Sequence, residues 1–390
     1  MTECLVYLPH SYTGRGPAES CIRIIAHFAA AGIAPTVFVH RARAPVPPGI
    51  GLIEAAGGPL RRLPFRLVAP LTTGRLMAAF RRAVDAASPG TLAYFWPDSP
   101  EELVGYAKRR GLVCVREMIN NPLARAKPIL DAAYRAVGLE PSHGITDAAV
   151  MRENRELALY DFIFSSNAEV DASLRALGIP QERILQSSFG WTAARFATDD
   201  GVARSGDDVA FRAVFVGLMN VRKGLVTLFE AWELAALDGE LVLAGAPEAC
   251  LKPLIDEACR NPRVRYLGHV SDVAALYRSS DVFVFPTLEE GGPQVTYEAA
   301  ACGLPVITTA MGAARLVEDG QAGLIVPEGD APALAAALRR LAQDERLRKQ
   351  LSAEAARQVG RFEYRTVGTE RARMLRACLA CLRQEQPAAS

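Results

Sequence analysis

Short apolar runs recur along the whole chain, and the segments between them repeat apolar residues at helical spacing, as Leu225, Leu228 and Trp232 do. The apolar runs that predict strands are 4–9, 36–39, 92–96, 112–115, 162–165, 213–216, 241–244, 264–267, 282–285, 304–307 and 323–326. Strands that alternate with helices form βαβ units, which build parallel sheets. The pattern therefore predicts an α/β fold.

A polar, glycine-bearing segment without apolar periodicity divides this pattern into two series. A chain of 390 residues is long enough for two domains, and linkers have this kind of composition. We therefore predict a Rossmann-like domain at 1–197, a linker at 198–208, a second Rossmann-like domain at 209–360 and a C-terminal helical segment at 361–390.

Residues 281–309 read as strand, loop, helix and strand, and their loop concentrates polar chemistry. In parallel sheets ligands bind beyond the carboxyl ends of the strands, which is where this loop lies. Glu290 is on the loop and Glu298 is in the first turn or so of the helix, so both can face one crevice. Two adjacent glycines, Gly291 and Gly292, let the backbone approach a ligand, and the helix N-terminus offers N–H groups. The two carboxylates suit the hydroxyls of a sugar or a ribose.

The stretch that begins at Glu290, E-G-G-P-x4-E-A-x-A-C-G-x-P-V, resembles the glutamate-x7-glutamate signature of retaining GT-B glycosyltransferases of family 4, the glycosyl transferases group 1. The resemblance is close over 205–345 and looser over 1–195. It implies a GT-B fold, in which two Rossmann-like domains face one another across a cleft. It also implies that the last helix crosses back onto the first domain, and we expect that crossing at 362–364.

The resemblance assigns roles to residues of the loop and of the following helix. Glu290 is expected to bind hydroxyls of the donor sugar, and Glu298 is expected to hold the ribose of the nucleotide. Backbone N–H groups around Gly292, Pro293 and Gln294 are expected to assist. In similar enzymes the backbone near Val270, in the segment 268–271, meets the nucleotide base.

A second cluster of charge follows the strand at 213–216, where Gly217 leads to Arg222, Lys223 and Gly224. Two cations at the mouth of a helix suit a diphosphate, because their charge adds to the helix dipole. The stretch resembles the G-R-x4-K-G segment of the family, although Leu218 stands where the family has arginine. By this resemblance Lys223 and Arg222 neutralise the diphosphate leaving group.

The loop after the first strand reads G-R-G-P-A-E and invites comparison with the dinucleotide fingerprint. The comparison fails, because Glu19 occupies the third glycine position and the second strand ends in His40 and Arg41 rather than in an acid. In the family that the chain resembles, a glycine-containing loop here closes over the donor diphosphate. Gly14 and Gly16 are therefore expected to bind the donor.

The family commonly places a histidine near the donor sugar, at the end of the strand 112–115, and this chain has none there. Arg116, Glu117 and Asn120 are the alternatives for that space. His143 lies in a later loop, and because a lone loop histidine is more often exposed than functional, it is not assigned a catalytic role.

Composition sets further bounds on the class of protein. Half of the residues are hydrophobic and 22% are charged, as in ordinary globular enzymes. No apolar run approaches the roughly 18 residues that span a bilayer, and the N-terminus does not resemble a signal peptide. The eight cysteines are scattered, which argues against a disulfide framework or a zinc site. We expect a cytoplasmic protein.

Charge is uneven along the chain. Residues 1–127 carry 16 lysines and arginines against 8 acids, and the remainder carries 28 against 35, so the front third is +8 and the rest is −7. The arginines at 61, 62, 66, 75, 81 and 82 are mixed with apolar residues at 63, 65, 67, 76, 77 and 80. Peripheral contact with an anionic membrane and a merely solvated helix face both fit this stretch. Nucleic-acid binding is not expected, since no recognised motif accompanies the charge.

The predicted function is that of a retaining glycosyltransferase, which moves a sugar from a nucleotide-diphosphate sugar to a hydroxyl of a carbohydrate or lipid-linked acceptor. No metal and no cofactor besides this co-substrate are expected. The chain has no Asp-x-Asp pair, and Lys223 and Arg222 would neutralise the diphosphate in place of a metal ion. Two alternatives remain. One is a degenerate glycosyltransferase that acts as a binding partner, which Leu218 and the missing histidine suggest. The other is an NADP-dependent oxidoreductase with Arg41 and Arg43 on the 2′-phosphate.

Overall fold

The structure is a computed structural model, which describes residues 1–58, 60, 63–196 and 210–385. The strands of the first half are β1 (Thr2–Tyr7), β2 (Ser11–Tyr12), β3 (Ile33–Val39), β4 (Arg41–Ala42), β5 (Gly51–Glu54), β6 (Leu92–Phe95), β7 (Val113–Glu117), β8 (Phe162–Ser165) and β9 (Ile184–Gln186). Seven of them form a parallel sheet in the order β5-β3-β1-β6-β7-β8-β9, and β2 pairs with β4 beside it.

Seven helices connect the strands in the described part of this half. They are α1 (Gly16–Ile25), α2 (Phe65–Ala86), α3 (Glu101–Arg109), α4 (Leu123–Ala136), α5 (Asp147–Leu159), α6 (Ala168–Ala176) and α7 (Ala193–Phe196). All four residues of β6 and all five of β7 are buried. Strands covered on both faces are typical of parallel sheets, because crossover helices pack on either side.

The second half repeats this plan with a six-stranded parallel sheet. Its strands are β10 (Arg212–Val216), β11 (Glu240–Ala244), β12 (Val264–Gly268), β13 (Val282–Phe285), β14 (Val306–Thr308) and β15 (Gly323–Ile325), in the order β12-β11-β10-β13-β14-β15. Its helices are α8 (Leu225–Ala235), α9 (Lys252–Ala258), α10 (Val273–Arg278), α11 (Gln294–Ala301), α12 (Ala331–Gln343) and α13 (Glu345–Val359), and α14 (Tyr364–Glu385) follows. Asp330 caps α12 as predicted, since its carboxylate accepts the N–H of Ala333 at 2.8 Å.

The chain returns to the first sheet after α13. Trp191 donates its N–H to the carbonyl of Phe362 at 3.1 Å, and Tyr364 donates its N–H to the carbonyl of Trp191 at 3.1 Å. Helix α14 then packs along α1. These contacts join the end of the chain to the first half.

Several predicted strands differ from the observed ones. The run 304–307 is displaced, because Leu304 still donates its N–H to the carbonyl of Ala299 and Gly303 has a φ of 82°, so these residues close α11 before β14 begins. Strand β5 and the short β9 were not predicted. The predicted linker at 198–208 lies outside the described residues, and the predicted domain boundaries stay predictions.

Candidate active site in the cleft between the two sheets

Loops that follow the parallel strands of both sheets meet in one cleft, which is where ligands of α/β sheets bind. A cavity of about 530 Å³ opens there between the loop after β1, the segment after β9 and the loop after β12. Four of the residues predicted to bind the donor line it: Gly14, Val270, Gln294 and Glu298. The fold thus brings together residues that are up to 284 positions apart in the sequence.

The lining of this cavity is mildly cationic. Arg15, Arg23 and Arg195 face two carboxylates, Glu19 and Glu298, and Arg23 is already held by Glu19 at 2.6 Å. An excess of guanidinium groups suits an anionic ligand such as a nucleotide diphosphate.

Glu298 lies in the second turn of α11 and points into this cavity. Burial raises the pKa of Glu298 to about 7, and the charge of Arg195 opposes that shift. A carboxylate whose pKa lies near neutrality is unusual on a surface helix and common at functional sites. Its position fits a group that accepts hydrogen bonds from ribose hydroxyls.

Lys223 and Glu290 form an ion pair that is almost entirely buried. The turn that carries Lys223 ends at Gly224, whose φ of 70° and closeness to Pro286 leave no room for a side chain. Leu288 donates its N–H to the carbonyl of Arg222 at 2.8 Å, which ties this turn to the loop of Glu290. Burial and the Arg222 guanidinium lower the pKa of Lys223, and the Glu289 carboxylate opposes that shift. Arriving phosphate oxygens would compete with Glu290 for the ammonium group.

Arg222 is engaged by a different carboxylate. Its Nη1 lies 3.1 Å from Oε2 of Glu289 and 3.3 Å from Oδ1 of Asn120, whereas its Nη2 is 3.9 Å from Glu290. Glu289 also accepts the N–H of Asn121 at 3.0 Å. Arg222 therefore bridges the loop after β7 and the loop after β13.

The double glycine packs against the first half of the chain. A Cβ atom on Gly292 would lie 2.4 Å from the ring of Phe189, and one on Gly291 would lie 2.1 Å from the carbonyl oxygen of Ile119. These positions must be glycine because the loop packs directly against the first half of the chain. Contact between the glycine backbone and a ligand stays a prediction.

Pro293 precedes α11 and Gln294 begins it. The side chain of Gln294 donates to Oγ of Ser20 at 2.8 Å and accepts from the hydroxyl of Tyr364 at 2.9 Å. Gln294 thus links α1, α11 and α14 at the rim of the cavity. Gly16 begins α1 and does not line the cavity, whereas Gly14 does.

The residues that could take the place of the missing histidine lie in different surroundings. Arg116 is buried against Glu156 at 2.8 Å, and Glu117 is buried against Arg371, so neither reaches the cleft. Asn120 alone of the three contacts Arg222 in the cleft. The expectation that His143 is exposed is wrong: its Nε2 lies 2.8 Å from Asp131 and its side chain is mostly buried.

Sequence reasoning missed several lining residues, among them Arg195, Trp191 and Tyr364. Arg195 lies on the four-residue helix α7 next to the predicted linker, and Tyr364 lies at the return of the chain. Neither has a motif around it. Their contribution depends on how the two halves pack, which no local pattern encodes.

Comparisons with known proteins find a family match in the second half of the chain. Residues 210–344 match the family described as glycosyl transferases group 1. The capsular polysaccharide biosynthesis glycosyltransferase CapM of Staphylococcus aureus is 37% identical over 144 residues, which are 35% of this chain and 37% of that protein. The matched segment covers between 37% and 44% of the first three curated relatives.

Two solved structures cover nearly the whole chain. Sucrose-phosphate synthase of Thermosynechococcus elongatus has a TM-score of 0.73 and 19% identity over 98% of this chain and 100% of that chain. HepE of Anabaena, in complex with UDP and glucose, has a TM-score of 0.66 and 17% identity over 97% of this chain and 100% of that chain. At such identities the likeness establishes the fold alone.

Proposed function

We propose that this chain, whose residues 210–344 belong to the glycosyl transferases group 1, is a retaining glycosyltransferase that uses a nucleotide-diphosphate sugar as donor. The family resemblance and the GT-B fold that the sequence predicted are confirmed. The observation that carries the proposal is the cleft cavity, because it joins Gly14 of the first half to Val270 and Glu298 of the second. Lys223 and Arg222 do not line this cavity, and their role toward the diphosphate is part of the proposal. The activity, the substrates and the partners are our inference.

In this proposal the nucleotide occupies the cavity of about 530 Å³, with its ribose hydroxyls on Glu298. The diphosphate lies toward Lys223 and Arg222. The bond between the anomeric carbon and the phosphate oxygen breaks, the acceptor oxygen bonds to the same face of that carbon, and the acceptor proton passes to the leaving phosphate. Charge grows on the phosphate as the bond breaks, so the cations stabilise the transition state more than the ground state. No metal enters this scheme.

In the same proposal Glu290 binds hydroxyls of the donor sugar. It lies on the loop after β13 and contacts Lys223, so the sugar and the diphosphate would be held by adjacent groups. This arrangement also orients the anomeric carbon, because both ends of the reacting bond are fixed relative to one loop.

The biological setting is proposed by analogy with relatives. CapM is named for capsular polysaccharide biosynthesis, and HepE was solved with UDP and glucose. We infer that the present chain acts in the synthesis of a surface polysaccharide or glycoconjugate, with a carbohydrate or lipid-linked acceptor, in the cytoplasm and at the inner face of the membrane.

The face of α2 supports peripheral contact with an anionic membrane. Leu67 and Leu71 are 56% and 59% exposed one turn apart, and Phe65, Arg66 and Arg75 are exposed beside them. Leu76 and Phe80, by contrast, belong to the core, so part of the predicted apolar face packs inward. Arg61 and Arg62 lie outside the described residues. No helix among the residues that the structure describes is long and apolar enough to cross a bilayer.

A vesicle experiment tests this contact. The protein should float with vesicles that contain phosphatidylglycerol at low salt and dissociate as salt rises, because charge screening weakens the arginine contacts. Leu71→Glu should reduce flotation, whereas Leu234→Glu, a change at another exposed leucine, on α8, should not. If flotation depends neither on lipid charge nor on the Leu71→Glu substitution, the membrane contact is removed from the proposal.

Nucleotide binding and donor cleavage test the function itself. A thermal-shift screen against nucleoside diphosphates and nucleotide sugars should find one base that raises the melting temperature, since a ligand at ~100 times its Kd adds about 2.7 kcal/mol to stability. Slow release of free sugar from the matching nucleotide sugar should follow. If a nucleotide sugar binds but is not cleaved, with or without acceptor, the chain is better explained as a degenerate glycosyltransferase that acts as a binding partner. The exposed Leu218 supports this alternative.

The oxidoreductase alternative is weakened by Arg41. Its side chain is directed inward, where it donates to Oγ of Ser11 at 3.1 Å and to the carbonyl of Leu63, and the residue is only 2% exposed. It does not present a guanidinium group to a 2′-phosphate. A titration with NADPH, followed by nicotinamide fluorescence, should therefore show no binding.

A further inference from the structure

A second cavity, of about 230 Å³, lies between α4 and the loops that follow β10 and β11. Residues of both halves line it, among them Asn121, Tyr134, His143, Asn220, Arg222 and Glu248. It shares no lining residue with the nucleotide cavity. Arg222 and Glu289 lie on its wall, and these two residues are the chain neighbours of Lys223 and Glu290. The second cavity therefore adjoins the proposed reaction centre from another side.

Polar groups without partners concentrate in this wall. Asn121 is 1% exposed, and both Nδ2 and Oδ1 of its amide lack a hydrogen bond. Oδ1 of Asn220 and Nε of Arg222 also lack one. Buried amides are normally satisfied, because leaving them unpaired costs free energy. Such groups beside a cavity indicate a ligand that completes their hydrogen bonds.

The charges around the cavity favour an uncharged ligand over an anion. The guanidinium of Arg222 is matched by Glu289 at 3.1 Å, and His143 is matched by Asp131 at 2.8 Å. Glu248 accepts from Asn220 at 3.1 Å and from the hydroxyl of Tyr134 at 3.3 Å. A phosphate would meet carboxylates without a spare cation among the described lining residues. Hydroxyl groups both donate and accept, so they suit the mixture of amide N–H, amide oxygen and carboxylate.

We propose that this cavity is the subsite for an uncharged sugar ring of the acceptor, held by the amides of Asn121 and Asn220. The inference rests on the proposed glycosyl transfer, since it is the reaction centre next to the cavity that makes the ring an acceptor. The volume lies below the ~300 Å³ at which pockets for drug-sized ligands begin, which fits one ring better than an oligosaccharide. Because both halves supply the wall, a ring here also links them.

Two substitutions test the subsite. Asn121→Leu and Asn220→Leu keep side-chain size and remove the hydrogen-bonding groups, and replacement of an unsatisfied buried amide by an apolar group is tolerated by the fold. Asn154→Leu, at an exposed position of α5, is the matched control. Methyl glycosides of the common hexoses and N-acetylhexosamines serve as probes. Their binding is measured by saturation-transfer NMR at millimolar concentration, with the nucleoside diphosphate that the thermal-shift screen selects.

We expect at least one glycoside to bind the unmodified protein and the Asn154→Leu variant, and to bind at least tenfold more weakly to Asn121→Leu and Asn220→Leu. The nucleoside diphosphate should bind all four proteins equally, which shows that they are folded and that the nucleotide site is separate. Glycoside binding that neither substitution changes would overturn the subsite, and so would the absence of any glycoside binding while the nucleotide still binds. Failure of every nucleotide to bind, with glycosides still bound, would instead overturn the proposed function.

Discussion

Glu290 and Glu298 lie eight positions apart on one loop and helix, and the structure gives them different neighbours. Glu290 is paired with Lys223, whereas Glu298 faces the cleft cavity, where the charge of Arg195 lowers its pKa against the effect of burial. The two carboxylates are therefore expected to serve opposite ends of the donor. This difference can be measured because one end is the nucleotide and the other is the transferred sugar.

Glu298→Gln should weaken binding of free nucleoside diphosphate by about 1.5–3 kcal/mol, because a charged hydrogen-bond acceptor of the ribose is lost. Glu290→Gln should leave that affinity nearly intact and lower turnover, since the sugar contacts act mainly in the transition state. Lys223→Ala should reduce both. Calorimetric titration and a turnover assay on each folded variant provide the measurements. Loss of nucleotide binding in Glu290→Gln, together with normal behaviour of Glu298→Gln, would reverse the orientation of the donor.

The pKa of Glu298 also predicts how stability depends on pH. Its folded pKa of about 7 lies above the ordinary value of 4.5, so the folded state holds this proton more tightly than the unfolded state. The corresponding stability is fully present below pH 4.5 and is lost as pH rises through 7. At about 1.36 kcal/mol per unit the loss amounts to about 3 kcal/mol at most.

Glu298→Gln removes this titration. The melting temperature of the variant minus that of the unmodified protein should therefore be larger at pH 8 than at pH 5. Glu328→Gln, at an exposed glutamate after β15, is the control and should show no such difference between the two pH values. Parallel pH curves for the unmodified protein and Glu298→Gln would show that Glu298 titrates normally.

Residues with a local motif could be placed from the sequence, and the others could not. Glu298, Lys223 and Val270 follow strands that the apolar pattern identifies, so their place at the carboxyl edge of a sheet follows from the topology rule. The packing of Gly292 could not be predicted, because its neighbour Phe189 lies 103 positions earlier. Arg195 could not be found, since only the packing of the two halves brings it to Glu298.

Helix α14 is the element that joins the two halves most firmly. Arg371 on α14 is fully buried and pairs with Glu117 of β7, and it also donates to the carbonyl of Ser188 at 2.8 Å. The guanidinium lies over the ring of Phe164 at 4.6 Å. Periodicity predicted a helix here, but it gave no sign that an arginine would be the residue that is buried.

Removal of one partner of this pair should be strongly destabilising. Arg371→Leu should cost about 3–5 kcal/mol, because it leaves the Glu117 carboxylate buried without a counter-charge. Urea unfolding measures the change, and Arg373→Leu on the same helix is the control. The double variant Arg371→Leu with Glu117→Leu should recover most of the loss, since no charge then remains buried. A single variant as stable as the unmodified protein would mean that water reaches this pair.

At the scale of the whole molecule, polar contacts hold the two sheets in a closed arrangement. Arg315, after β14, makes two bonds of 2.6 and 2.7 Å to the carboxylate of Asp171 on α6. Asn167 donates to the carbonyl of Met311 at 2.6 Å. These bonds lie across the cleft, so they would break if the two halves moved apart. Interfaces of this polar kind favour relative motion of domains.

We expect the free protein to open and nucleotide to close it. Nucleoside diphosphate bridges the loop of Gly14 and the helix of Glu298, so it binds the closed form better and shifts the population toward it. Small-angle scattering should show a smaller radius of gyration with nucleotide than without. Asp171→Asn removes the charge that holds Arg315. Without nucleotide this variant should therefore be more open than the unmodified protein, and with nucleotide it should be as closed as the unmodified protein. Glu182→Gln, at an exposed position, is the control and should behave as the unmodified protein does. If saturating nucleotide leaves the radius of gyration of all three proteins unchanged and equal, the two halves form one rigid body, and the cleft must admit the donor without closing.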